Sequence, residues 1–249
     1  MSTYVLIHGS WHGGWCWEKI ARSLKRAGHN VETPDLPGHG DDETPISRIS
    51  LQSYAERVCR VLDAQSEPVI LVGHSMGGIA ISQAAEYRSD NIDTLVYLTG
   101  NLLRNGESLL QVAQEDKQSL VAPNLIIHEG KGVATIRGNA IENTFYGDCP
   151  KEDVARARSL LSPEPLAPLA TPVSVTEENF GRIPRVYIEL LRDLANSPSA
   201  QKRMYTALPC RKVISMNTSH SPFFSAPEEL VAHLLSLRGG VRNDSIDKG

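Results

Sequence analysis

The segment that most restricts how this chain can fold is Pro68-Val69-Ile70-Leu71-Val72-Gly73-His74-Ser75-Met76-Gly77-Gly78. Its first five residues form an apolar, β-branched run without polar alternation, the pattern of a strand buried on both faces of a parallel sheet. Ile79 to Tyr87 then read as a helix packed back on that sheet. Gly73 to Gly77 must make the turn between them. So tight a turn strains the backbone of its central residue and crowds the positions two before and two after, where glycine leaves room. G-x-S-x-G at a strand-to-helix junction therefore predicts that Ser75 stands exposed on a nucleophile elbow.

Strand-like and helical stretches alternate along the rest of the chain. Strands are expected at Tyr4 to His8, Asn30 to Thr33 and Ile92 to Leu98, with helices from about Trp15 to Ala27 and from Leu51 to Ala64. This rhythm predicts the α/β class, with a doubly wound, mostly parallel sheet. It breaks between Arg104 and about Gly181. There the sequence offers a hairpin (Leu125 to His128 and Val133 to Ile136), helical pieces near Glu142 and from Glu152 to Leu161, and a proline-rich run from Ser162 to Pro172. An insertion of this size between two sheet strands is most simply a cap over the active site. The rhythm resumes with a strand at Arg185 to Glu189, a helix near Ser199 to Leu208, a strand at Lys212 to Met216 and a helix from Pro227 to Leu237. The expected division is a core of residues 1–104 and 182–240, a cap of residues 105–181, and a flexible tail, 241–249.

With 249 residues, 41% of them hydrophobic, the chain can bury one full α/β core. A net charge of −4 supplies no basic patch for nucleic acid, and no apolar run approaches membrane-spanning length. The first strand-like run starts at Thr3 and leaves no space for a signal peptide, so a cytoplasmic location is expected. The four cysteines, Cys16, Cys59, Cys149 and Cys210, lack zinc or C-x-x-C spacing and read as free thiols.

A serine hydroxyl needs a general base, and the base needs an orienting carboxylate. In a fold of this kind the three follow the chain order serine, acid, histidine. His220 sits in Thr218-Ser219-His220-Ser221-Pro222, after the last expected strand, and is the predicted base. Asp193, in the loop after the strand that precedes it, is the predicted acid. Glu189 is the rival but lies in that strand or at its very end. The developing oxyanion needs two N–H donors. The predicted ones are the amides of Met76, at the start of the elbow helix, and of Ser10, in His8-Gly9-Ser10-Trp11-His12-Gly13-Gly14. Trp11, His12, Phe145, Tyr146 and Phe223 are candidate pocket residues, and His39 in Pro37-Gly38-His39-Gly40 reads as structural. No cofactor and no metal are expected.

With HGSWHGGWCW, DLPGHG, VGHSMGG and TSHSPFF in place, the chain resembles the α/β-hydrolase superfamily. More narrowly it is similar to the branch of plant methylesterases, hydroxynitrile lyases and bacterial carboxylesterases such as pyrethroid hydrolases. The resemblance spans nearly the whole chain, and in RVYIELLRD it puts the family's acid on Asp193. It implies a cofactor-free serine carboxylesterase with a small cap, with pyrethroid-type esters in range; Phe145 and Tyr146 in the insertion and Phe223 and Phe224 after the base suggest small to medium esters with an apolar or aromatic acyl or alcohol group. Its partner is then a small-molecule ester, with neither nucleic acid nor membrane; a homodimer stays open. Two alternatives stand beside it. Lyases of this branch carry lysine after the catalytic histidine and threonine in place of Gly9, whereas this chain has Ser221 and Gly9. Hormone receptors of the superfamily keep a triad yet use the pocket to sense a ligand. One departure concerns Leu194-Ala195-Asn196-Ser197-Pro198, where relatives continue with a short apolar-proline segment, so the acid loop is expected to differ in shape.

Overall fold

Six stretches, most of them rich in valine, leucine and isoleucine, assemble side by side in the computed structural model, which describes residues 1–237. They are β1 (Thr3–Ile7), β2 (Asn30–Glu32), β3 (Val69–His74), β4 (Ile92–Leu98), then β8 (Arg185–Leu190) and β9 (Lys212–Met216) after an insertion that holds β5 (Leu125–His128), β6 (Val133–Ile136) and β7 (Glu164–Pro165). The main sheet runs in the order β2-β1-β3-β4-β8-β9, and every pairing in it is parallel. Parallel strands need crossover connections, and helices supply them. These are α1 (Glu18–Arg26), α2 (Leu51–Asp63) and α3 (Gly77–Tyr87) in the first half. The insertion holds α4 (Leu109–Glu115), α5 (Val121–Asn124), α6 (Ile141–Phe145), α7 (Lys151–Leu160) and α8 (Leu166–Ala170). After it come α9 (Pro198–Ala207), α10 (Pro222–Ser225) and α11 (Pro227–Ser236).

The pleat of the strands divides the core in two. Val5, Ile7, Leu71, Leu95, Tyr97 and Tyr187 face α2 and α3 on one side of the sheet. Tyr4, Leu6, Ile70, Val72, Val96 and Ile188 alternate with them and face α1 and α11 on the other. β3 is buried at all six positions, which explains its unbroken apolar pattern. Each such fully buried leucine or valine contributes about 1.5–3 kcal/mol through its removal from water. The doubly wound sheet read from the sequence is therefore the observed architecture, with all six strands parallel.

Between β4 and β8 the hairpin of β5 and β6 forms, and β7 pairs antiparallel with β6 to give a small second sheet. The expected helix from Trp15 begins as a 3-10 turn, Gly14–Trp17, before α1. The tail at residues 241–249 lies outside the described residues.

Candidate active site

β1 has β2 on one side and β3 on the other, so successive connections leave it in opposite directions. In open α/β sheets such a switch point opens a crevice at the carboxyl ends of the strands. The predicted groups leave the sheet at those ends: Ser10 beyond β1, Ser75 beyond β3, Asp193 beyond β8 and His220 beyond β9.

Ser75 has φ of 51°, a left-handed conformation that a serine adopts only under constraint. The constraint comes from packing. A Cβ on Gly73 would sit 2.8 Å from the Gly77 carbonyl oxygen, and one on Gly77 would sit 2.7 Å from that of His8. Only two glycines let α3 leave the strand end this steeply. The Ser75 carbonyl accepts from the N–H groups of Gly78 and Asn101, both at 2.9 Å, which ties the elbow to the end of β4.

His220 Nδ1–H donates to Asp193 Oδ2 at 2.8 Å, with both side chains buried. Nδ1 being so engaged, Nε2 is the nitrogen left to accept a proton. Asp193 is itself held: Oδ1 accepts from the backbone N–H groups of Ala195 (2.8 Å) and Asn196 (2.9 Å), and Oδ2 also accepts from the Thr99 hydroxyl at 2.7 Å. Asn196 donates its amide to the Thr99 carbonyl, and Ser197 caps α9 by accepting from Ala200 N–H. The Leu194 to Pro198 segment thus wraps the carboxylate with its own backbone donors. Glu189 points elsewhere, accepting from Tyr205 and Ser215.

The His220 loop is anchored twice more. Asp148, from the insertion, accepts from Ser219 N–H at 2.8 Å, from the Ser219 hydroxyl and from Arg192. His74 Nε2–H donates to the His220 carbonyl at 2.9 Å, while its Nδ1 is buried without a partner among the described residues. Burial and the neighbouring His220 and His12 hold the His74 pKa well below the ordinary value, so the ring is neutral.

A cavity of about 250 Å³ opens over Ser75. Ser10, Trp11, Met76 and Asn101 form its floor, and Leu109, Leu110, Val112, Val121, Phe145 and Leu169 of the insertion wall it. The N–H groups of Ser10 and Met76 donate to no partner among the described residues, so both are free for an oxygen in that cavity. The Met76 N–H also stands at the N-cap of α3, where helix peptide dipoles favour negative charge.

Not every predicted pocket residue lines it. Trp11 and Phe145 do, but His12, Tyr146 and Phe223 lie outside the cavity wall, in the core. His12 stacks on Trp15 and bridges the Ser10 carbonyl to the Tyr146 hydroxyl, both at 2.7 Å. Phe223 packs on Trp17, His74 and Phe224. Their aromatic character marks them for a pocket, whereas packing between the loop after β1 and α10 claims them. Thr99 is not legible in the sequence, since it forms part of no motif and reaches Asp193 across 94 positions of chain.

The family model of the alpha/beta hydrolase family matches residues 4–233. The chain belongs to that family. Among members of this alpha/beta hydrolase family, a pyrethroid hydrolase of Sphingobium wenxiniae is 32% identical, over 91% of this chain and 84% of its own. A pheophorbidase of Raphanus sativus is 30% identical, over 93% and 92%. The crystal structure of a methylesterase from Arabidopsis superposes with a TM-score of 0.82 at 26% identity, covering 95% of this chain and 98% of that one. Among the described residues of this hydrolase no helix is long and apolar enough to cross a membrane, and the four cysteines are unpaired.

Proposed function

We propose that the protein is a serine carboxylesterase that cleaves small to medium apolar or aromatic esters through an acyl-enzyme on Ser75. One observation carries the reading: a buried Asp193–His220 pair and two unpartnered backbone N–H groups border the same strand ends as an elbow serine that opens into a cavity. In the mechanism His220 Nε2 takes the Ser75 proton as Oγ attacks the ester carbon, and the resulting oxyanion accepts from Ser10 and Met76 N–H. Collapse expels the alcohol with the proton from His220, and a water activated by His220 then hydrolyses the acyl group. The aliphatic wall of the cavity suits an uncharged acyl group. The similarity to a pyrethroid hydrolase and to methylesterases supports ester hydrolysis as the reaction and brings pyrethroid-type esters into the candidate range. Four unpaired thiols fit a reducing compartment such as the cytoplasm.

The lyase alternative loses ground in the packing. A Cβ at Gly9 would stand 2.9 Å from both His74 Nδ1 and Ser75 Cβ, so a threonine there has no room beside the elbow. The test is sustained multiple turnover of a p-nitrophenyl ester by the wild type, with no cyanide released from mandelonitrile. A single stoichiometric burst followed by silence would favour ligand sensing, and cyanide release at a rate matching ester hydrolysis would favour the lyase.

A further inference from the structure

We propose that the insertion positions the oxyanion hole, with Glu164 and the Tyr146–His12 pair gripping opposite ends of the Ser10–Trp11 peptide. The inference rests on the serine-esterase reading. The peptide in question follows directly on the Ser10 N–H. Its carbonyl accepts from His12 Nδ1–H at 2.7 Å, and its N–H donates to Glu164 Oε2 at 2.9 Å. His12 Nε2 in turn accepts from the Tyr146 hydroxyl at 2.7 Å. With Nδ1 donating and Nε2 accepting, His12 is a neutral tautomer held at both nitrogens.

Trp11 needs this grip. Its φ of 62° is an outlier for a bulky residue and persists only where surroundings impose it. Besides Glu164, the Trp11 carbonyl accepts from Ser162 N–H at 2.9 Å and its indole N–H donates to the Ala134 carbonyl at 3.0 Å. All three partners belong to the insertion. If the peptide were released, Trp11 could relax to negative φ, the plane beyond Ser10 would swing, and the Ser10 N–H would turn with it.

Glu164 is fully buried, and a carboxylate so placed must be paired. Its Oε2 also accepts from His39 Nε2–H at 3.0 Å, and its Oε1 accepts from the Tyr54 hydroxyl at 3.4 Å. The second nitrogen of His39 faces the Pro37 carbonyl at 3.2 Å. Both ring nitrogens therefore face acceptors, the arrangement of an imidazolium. Burial alone would lower the His39 pKa, but the Glu164 charge and hydrogen bond lift it above the ordinary value. An ion pair thus sits where the DLPGHG turn, the insertion and the oxyanion loop meet, giving a positioning role to groups far apart in sequence.

The experiment compares Glu164→Leu, Glu164→Gln and wild type in ester hydrolysis and in binding of an aryl trifluoromethyl ketone, which forms an oxyanion on the serine. The matching methyl ketone serves as the control that does not. Losing one oxyanion donor costs on the order of 10²–10³ in kcat. Glu164→Leu is expected to lower kcat on that scale with KM little changed, to weaken the trifluoromethyl ketone by a similar factor, and to leave the methyl ketone unaffected. Glu164→Gln, whose amide oxygen still accepts from Trp11 N–H, is expected to recover most of both losses. Should Glu164→Leu not fold, Tyr146→Phe reads the other end of the grip, with kcat and trifluoromethyl ketone affinity falling together. Ketone affinity unchanged in whichever of these variants folds would overturn the proposal, even if thermal stability fell. A wild type that neither turns over esters nor reacts with a fluorophosphonate would instead defeat the underlying reading, so the two failures are distinguishable.

Discussion

Replacing Asp193 by asparagine changes one atom and should nearly silence the enzyme, for a reason visible in the hydrogen bonds. Oδ1 accepts from two backbone N–H groups, of Ala195 and Asn196, so an asparagine must keep its oxygen there. Its NH₂ group is then forced into the Oδ2 position, facing His220 Nδ1 at 2.8 Å and the Thr99 hydroxyl at 2.7 Å. Thr99 can rotate its hydroxyl and accept. His220 can adapt only by moving its proton to Nε2, the nitrogen that must be free to take the proton of Ser75. The wrong tautomer in a triad lowers kcat by roughly 10⁴, which is about 5 kcal/mol of transition-state stabilisation. Shape and backbone hydrogen bonds survive, so Asp193→Asn should fold and melt close to wild type. The assay is p-nitrophenyl ester hydrolysis alongside Glu189→Gln, whose parent residue bonds Tyr205 and Ser215 and should retain most activity when neutralised. An Asp193→Asn variant within tenfold of wild type, or a Glu189→Gln variant as inactive as it, would refute the reasoning.

Four further outcomes are expected. Burial lowers the His12 pKa from 6.5 to about 4, so the unfolded chain binds a proton that the fold refuses. The His12 contribution is complete above 6.5 and is lost as pH falls through about 4; at 1.36 kcal/mol per unit it is worth about 3 kcal/mol, which urea midpoints across that range measure against His12→Gln. Gly77→Ala would bring a Cβ to 2.7 Å from the His8 carbonyl oxygen and 2.8 Å from that of Ile7, a clash with backbone that cannot swing aside and should cost about 1–3 kcal/mol and most activity. Gly130→Ala, with nothing within 4 Å of the added atom, should change neither melting nor turnover. Phe145→Ala, which removes a cavity wall packed 5.4 Å from the Trp11 ring, should destabilise by about 3–5 kcal/mol while raising kcat/KM for bulky acyl esters relative to acetate; an unchanged ratio would put Phe145 outside the path of the acyl group.

What could be read from the sequence was whatever is local. The β3 run, its flanking glycines and the strand-to-helix turn need only short stretches of chain to be recognised, and apolar, strand-like runs mark every strand of the main sheet. Asp193 and His220 could be placed by counting loops, because parallel strands deliver their carboxyl ends to one edge of the sheet. Contacts made across the fold were not legible. Thr99 holds the Asp193 carboxylate from the end of β4, and only the pairing of β4 with β8 reveals what its hydroxyl reaches. Glu164, in a proline-rich run, meets Trp11 across 153 positions of sequence. His12, Tyr146 and Phe223 show the converse: an aromatic residue near a site is as useful for packing as for binding, and its neighbours in space decide which.

The central claim is that Ser75 carries the acyl group, and rapid-quench peptide mass spectrometry during turnover of p-nitrophenyl acetate tests it most directly. The acetyl mass should appear on the peptide containing Ser75, rise and decay at the rate of turnover, and be absent from Ser75→Ala, which should be folded and inactive. Acetyl on any other residue at that rate, or hydrolysis that persists in Ser75→Ala, would contradict the account.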